Sequence, residues 1–402
     1  MTPTLFVTII LDGVGIGEQP DSANFGDAGS HTLAHVCATA HPSLPNLASL
    51  GLGCIEPLEG VPAVATPRAN YGRMREVSAG KDSTTGHWEM AGIRLERPFP
   101  TYRHGFPAEV IDAFVAKTGC GGVLGNRHAS GTAIIDELGE RHQRTGHPII
   151  YTSADSVFQV AAHKDTIALD ALYRMCQIAR DEVCVDEHAV GRVIARPFVG
   201  TPGAYTRVSS ERRDFSLPPP WSLLQALQQH GVRTVSVGKI INLFADIGFD
   251  EGYKTDSNAD GIAETLRLMR AYRPDQGPAF LWANLVDFDE LYGHRNDPEG
   301  FARALEAFDR AVPDLIAALP EGGRLVLTAD HGNDPITPST DHSREYVPLL
   351  AYGHDAGRNL GTRPSFNDHA ATVAAYFGIP FETEGSSFDD GVKRDTSRRR
   401  LT

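Results

Sequence analysis

Six side chains with the donor chemistry of a metal cage are spread along the chain: Asp12 after an apolar run, Asp289 and His294 in DFDELYGH, Asp330 and His331 in ADHGND, and His342 in STDH. Taken singly each has an ordinary explanation, because an aspartate after a strand is commonly a turn residue and a lone histidine fills surface or core. Together, three carboxylates and three imidazoles are costly to gather unless a cation neutralises them. Mixed oxygen and nitrogen donors without thiolate suit manganese, zinc or cobalt rather than calcium or an iron–sulfur centre. Two divalent ions set against three carboxylates leave a net positive site fit for a phosphate. Ions about 3.5–4 Å apart can activate an attacking oxygen and stabilise a leaving one.

A nucleophile is offered by GKDSTTGHWE, where glycines bracket a hydroxyl-rich turn that could open a helix and bring donors to an anion. Ser83, Thr84 and Thr85 are the candidates, and a metal held by Asp12, Asp330 and His331 could lower the proton affinity of such a hydroxyl. The same residues read equally well as a serine or threonine helix cap. The glycines of DGVGIGE do not make a dinucleotide site: their spacing is GxGxG, and Asp12 stands where a pyrophosphate would have to approach.

Positioning these groups requires strands that end near one another. Leu5–Leu11, Ala279–Val286 and Arg324–Thr328 are continuous apolar runs of the kind buried on both faces of a parallel sheet, and each is followed by an aspartate. Amphipathic helices are expected over 221–230, 261–272 and 299–319, giving an α/β fold whose ligands sit beyond the carboxyl ends of the strands. The middle of the chain differs. Residues 98–216 lie between proline-marked turns and carry their own expected strands (149–152, 192–195) and helices (108–117, 169–182), so they read as an inserted domain between core segments 1–97 and 217–402.

A formal net charge of −14 argues against a chain that coats nucleic acid or an anionic membrane, so an anionic substrate needs a local cationic pocket. The five cysteines are odd in number and lack CxxC spacing, which reads as reduced thiols in a cytoplasmic protein. The first apolar run breaks at Asp12, too early for a signal segment or a membrane span. The basic tail 393–400 reads as a solvated end.

The segments DGVGIGEQPD, GKDSTTGHWEMAG, ASGTAIIDELG, YTSADSVFQVAAH, GRVIARPFVGTPG, GKI, NLVDFDELYGHRNDP and LTADHGNDPITPSTDHSREYVPLLAY together resemble the phosphopentomutases of the alkaline phosphatase superfamily. The resemblance implies an alkaline-phosphatase-like core, with a mainly parallel sheet and helices on both faces, plus an inserted α+β cap. It implies one manganese on Asp12, Asp330 and His331 and another on Asp289, His294 and His342, with zinc or cobalt as substitutes. The phosphorylated hydroxyl of the family follows the aspartate of GKD and is commonly threonine; here the position is Ser83, which preserves the chemistry, while Thr84 and Thr85 flank it. Also implied are a sugar-phosphate pocket of Ser153, Asp155, Val157, Arg192, Ile194, Arg207 and Lys239, with the three cations clamping the distal phosphate. The expected activity interconverts ribose (or 2-deoxyribose) 1-phosphate and 5-phosphate in a monomer primed by glucose 1,6-bisphosphate or ribose 1,5-bisphosphate. A phosphatase or phosphodiesterase using the same metals is the alternative. A cofactor-independent phosphoglycerate mutase would need a different cap, and a non-catalytic manganese-binding protein would carry no phosphate on Ser83.

Overall fold

A computed structural model describes residues 4–153, 156–353 and 355–389. They form two compact units, one of Met1–Arg97 with Pro219–Thr402 and one of Pro98–Pro218.

The first unit is built on an eight-stranded sheet in the order Glu251–Tyr253, Arg233–Val237, Ala279–Leu285, Leu5–Leu11, Arg324–Thr328, Val347–Tyr352, Asn70–Met74, Asn359–Arg363. The first five strands run parallel. Val347–Tyr352 is antiparallel to both neighbours, and the last pair is parallel again. The three apolar runs expected as strands are the adjacent central ones. Leu5–Leu11 lies between the other two, with Leu11 opposite Leu285 and Ile10 opposite Thr328. All residues of these three strands are buried, which explains their unbroken apolar character.

Two groups of helices pack the core. Thr32–Ala40, Pro45–Leu50 and Asn258–Ala271 pack on the long helix Pro298–Ala318, while Ser83–Met90 and Leu223–Gln229 pack on Asn367–Phe377. The helices expected over 221–230, 261–272 and 299–319 occupy Leu223–Gln229, Asn258–Ala271 and Pro298–Ala318. The second begins earlier because Ser257 caps it, its side chain accepting from Asp260 N.

The second unit has a six-stranded mixed sheet: Leu124–His128, Ile149–Thr152, Val157–His163, Arg192–Val199 and Thr206–Arg207 in order, with Arg213–Ser216 pairing Arg192–Val199. Phe106, Phe114, Phe158 and Val193 belong to one apolar cluster; Leu124, Ile134, Tyr151 and Phe198 belong to another. The helix expected to reach residue 182 ends at Ile178 and passes into a π-type turn, Ala179–Val183. There the buried Arg180 guanidinium donates to the carbonyls of Val190 and Cys184, which a continued α-helix would leave elsewhere. The basic tail 393–400 lies outside the described residues.

Candidate metal centre

The carboxylate of Asp12 is delivered by a short, glycine-dependent turn. Gly13 follows Asp12 with φ +77° and donates its N–H to Asp330 Oδ1 at 3.2 Å. Gly15 has no room for a side chain, since a Cβ there would strike Glu345. The glycines of DGVGIGE therefore serve close packing. Asp289 lies on a π-type turn, Phe288–Tyr292, beyond the strand Ala279–Leu285. Ser83 is the first residue of the helix Ser83–Met90, whose N-cap is Asp82, accepting from Thr84 N and Thr85 N. The sequence read equally well as a serine or threonine cap. The aspartate takes that place because its second oxygen also accepts from Thr85 Oγ1 at 2.6 Å.

That bond separates two of the three hydroxyls. Thr85 is fully buried and occupied by Asp82, whereas Ser83 Oγ accepts from Lys239 Nζ at 2.8 Å and lies 3.2 Å from His331 Nε2.

Ligand atoms of Asp12, Asp330 and His331 all lie within 4.8 Å of one another, as do those of Asp289, His331 and His342. His294 Nε2 adds to the second group at 3.2 Å from Asp289 Oδ2. These donors fit a cation. Asp12 Oδ1 and Asp330 Oδ2 are buried without a hydrogen-bond partner, yet both face His331 Nε2, at 3.5 and 3.4 Å. His331 Nδ1 donates to the Gly332 carbonyl, which leaves the Nε2 lone pair turned towards these oxygens. Burial pushes His331 down to about 4, so the ring is neutral at physiological pH and available as a ligand. His294 Nδ1 likewise donates to the Thr340 carbonyl at 2.6 Å, pointing Nε2 at Asp289. Burial opposes a proton there, but contact with Asp289 outweighs it and raises the ring above its ordinary value; a metal ion competes for the same position.

The carboxylates respond differently to one pocket. Burial and the neighbouring Asp330 push Asp12 well above the usual range despite Lys239. Asp330 and Asp289 are held below it, because the surrounding imidazoles outweigh the cost of burial.

The sequence places these segments in a recognisable group. The metalloenzyme superfamily matches residues 5–381. A phosphopentomutase of Anaeromyxobacter dehalogenans is 54% identical over 391 residues, 96% of this chain and 99% of that one. The chain belongs to the phosphopentomutase family. It is thus an isomerase, and a phosphopentomutase of Deinococcus radiodurans is 52% identical over 94% of this chain and 97% of its own. A solved protein of Pyrococcus horikoshii shares the fold, with a TM-score of 0.50 at 15% identity over 95% of this chain and 99% of that one.

Around this phosphopentomutase centre stand residues that the list of donors missed. Asn284 Nδ2 donates to Asp12 Oδ2 at 2.8 Å, Asn333 Nδ2 donates to Asp289 Oδ1 at 2.7 Å, and His87 Nδ1 lies 3.2 Å from Asp330 Oδ2. All three sit inside motifs already quoted, so a search for partners of the carboxylates could have found them. Lys239 also stands at this centre. Expected with Arg192 and Arg207 at a distal phosphate, it belongs to the first unit and pairs with Asp12 Oδ2 at 2.6 Å. Burial works against its charge, but Asp12, Asp289 and Asp330 raise its pKa, so it remains an ammonium.

The other expected pocket residues lie in the second unit. Val157 and Ile194 are buried, Ser153 and Arg192 are half-buried, and Arg207 is exposed. Asp155 lies outside the described residues.

The segment before Ser83 is clamped from two sides. Arg344, two residues after His342 and 2% exposed, donates from Nη1 to the carbonyls of Ser78 and Gly80, and from Nη2 to the carbonyl of Glu76 and to Asp21. Its charge meets the buried Glu76 carboxylate at 2.9 Å. From the opposite side Glu89 accepts from Val77 N and Ser78 N. Gly86, on the same helix as Ser83, has no room for a methyl group, because a Cβ there would collide with the Asp330 carbonyl. Gly86→Ala is expected to lose about 1–3 kcal/mol of stability by overpacking and to weaken the binding of a divalent ion. Chemical denaturation with and without the ion measures both, and unchanged affinity would show that Asp330 tolerates the shift.

Proposed function

We propose that this enzyme interconverts ribose 1-phosphate and ribose 5-phosphate, and the 2-deoxy sugars, through phosphorylated Ser83 and a 1,5-bisphosphate. The observation that carries this reading is the contact of Ser83 Oγ with Lys239 Nζ at 2.8 Å and its approach to His331 Nε2 at 3.2 Å, beside two clusters of buried ligands. Asp12, Asp330 and His331 would hold one divalent ion and Asp289, His294 and His342 the other, manganese by preference with zinc or cobalt able to replace it. The ions supply positive charge to the transferring phosphoryl group.

In the forward half-reaction the sugar hydroxyl attacks phosphorus and the bond from Ser83 Oγ to phosphorus breaks. Lys239, a permanent cation donating to that oxygen, steadies the charge gathering on it. The bisphosphate then turns over and Ser83 takes the other phosphate. Ser153, Asp155, Val157, Arg192, Ile194 and Arg207 form the sugar-phosphate pocket in this reading. Glucose 1,6-bisphosphate or ribose 1,5-bisphosphate primes Ser83. The working form is a cytoplasmic monomer. Five cysteines free of disulfides support the cytoplasmic setting. No described helix is long and apolar enough to cross a membrane.

A coupled assay of ribose 1-phosphate conversion during manganese titration tests the reading. Turnover should vanish with a chelator and return with manganese, and the ion should raise the Tm. Release of inorganic phosphate from ribose 5-phosphate without formation of ribose 1-phosphate would establish a phosphatase instead.

A further inference from the structure

His87 follows the three hydroxyls on the helix Ser83–Met90 and is fully buried, yet the mechanism above does not use it. Its simplest role is packing. The ring lies 5.6 Å from Trp282 at an interplanar angle of 32°, and His369 lies 5.6 Å from the same Trp282 at 34°. A phenyl ring would fill that place as well, but it would not make the polar contacts. His87 Nδ1 donates to the Ser83 carbonyl at 2.8 Å and lies 3.2 Å from Asp330 Oδ2. Carbonyl and carboxylate oxygens are both acceptors, so Nδ1 carries the proton.

The other ring nitrogen is turned to Asn284, whose Nδ2 stands 3.4 Å from His87 Nε2. The same Nδ2 donates to Asp12 Oδ2 at 2.8 Å, and this fixes the amide, because its oxygen turned to that side would face a carboxylate. Asn284 keeps the orientation although its Oδ1 is buried with no hydrogen-bond partner. The Nε2 lone pair thus meets an N–H, and a single tautomer of His87 suits both of its sides. Asp12, Asn284 and His87 form a path that ends on the main chain of Ser83 and beside Asp330.

We propose that His87, oriented by Asn284, is a positioning residue that fixes the main chain of Ser83 against Asp12 and Asp330. Its Nδ1–H sets where the Ser83 hydroxyl stands relative to both carboxylates, and a shift of about 1 Å at a nucleophile costs about 10²-fold in rate. The inference rests on the reading of Ser83 as the phosphorylated residue.

Two variants separate positioning from packing. The amide N–H of an asparagine stands where Nδ1 stands, whereas a glutamine reaches the place of Nε2 and fills more of the ring's volume. His87→Gln is expected to lower kcat for ribose 5-phosphate about 10- to 100-fold with KM little changed, and His87→Asn to regain about tenfold of that loss. Packing alone gives the reverse order, because the smaller asparagine leaves the larger gap beside Trp282. The Tm of His87→Asn should therefore lie below that of His87→Gln while its kcat lies above. Manganese affinity measured by calorimetry should fall about tenfold or more in His87→Gln and be partly restored in His87→Asn, since only the glutamine withdraws the donor beside Asp330. Equal kcat in the two variants, or a lower one in His87→Asn, would overturn the proposal. Should neither variant fold, NMR spectra of the parent with isotopically labelled histidine decide, a proton on His87 Nδ1 supporting the proposal and one on Nε2 rejecting it. If the parent takes up no phosphate on Ser83 from glucose 1,6-bisphosphate, the mutase reading of Ser83 fails instead. The manganese affinities then judge the network separately, with a larger fall in His87→Gln supporting it and equal affinities rejecting it.

Discussion

Ser83→Ala is expected to abolish turnover, with a loss on the order of 10⁴- to 10⁶-fold, and to end phosphate incorporation from glucose 1,6-bisphosphate. Ser83 Oγ is the hydroxyl that meets both Lys239 and His331, so its removal takes away the acceptor of the phosphoryl group while both ligand clusters keep their atoms. Manganese binding should therefore persist. Ser83→Thr should restore incorporation, since it returns a hydroxyl at the same position. Thr85→Val acts differently: it removes the bond to Asp82 and should cost about 1 kcal/mol of stability while Ser83 still takes up phosphate. Intact mass before and after incubation with the bisphosphate reads these outcomes. A gain of about 80 Da by the alanine variant would move the nucleophile elsewhere.

Arg344→Met should be the most destabilising of the changes considered, by about 3–5 kcal/mol, because it strands a buried carboxylate. Glu76 is 1% exposed, and burial already holds its carboxyl well above the usual range against the pull of Arg344. Without that cation the folded state must keep Glu76 protonated. A group with a raised folded pKa binds more protons folded than unfolded, so stability falls as pH rises above the unfolded value of about 4.5. Parent and variant both lose stability as pH rises above that value, and the gap between them should widen once the pH passes the folded value that Arg344 holds down in the parent. Denaturant titrations on both sides of it check the sign, and a gap independent of pH would show that Glu76 is not the stranded group. The three carbonyls released on the segment 76–80 should also loosen Ser83, lowering kcat more than manganese affinity.

The central strands were legible because a strand buried on both faces writes itself as an unbroken apolar run. Arg324–Thr328 and Leu5–Leu11 have the expected bounds, and the third stops one residue short, at Leu285. The candidate donors were legible too, since aspartates and histidines are conspicuous next to such runs. What escaped was whatever depends on a partner far along the chain. Lys239 carries no local sign that it will meet Asp12, 227 residues away, and its setting in GKI suggested a phosphate clamp. Arg344 reads as an ordinary surface residue until the segment 76–80 closes around it. The turn at 179–183 depends on Arg180 finding the Val190 carbonyl, which helical periodicity does not encode.

Leu5–Leu11 pairs with Ala279–Leu285 on one side and Arg324–Thr328 on the other and, among the described residues, with no earlier strand. This apolar strand must therefore wait for the first of its neighbours until roughly 270 further residues have been added. At about 5–20 residues per second that is roughly 15–55 seconds, during which LFVTIIL has no native sheet to join. The nascent chain should accordingly need shielding by chaperones. Asp12 can join Asp330 and His331 only once those residues have been made, so a cation held by all three would be acquired after that point of synthesis.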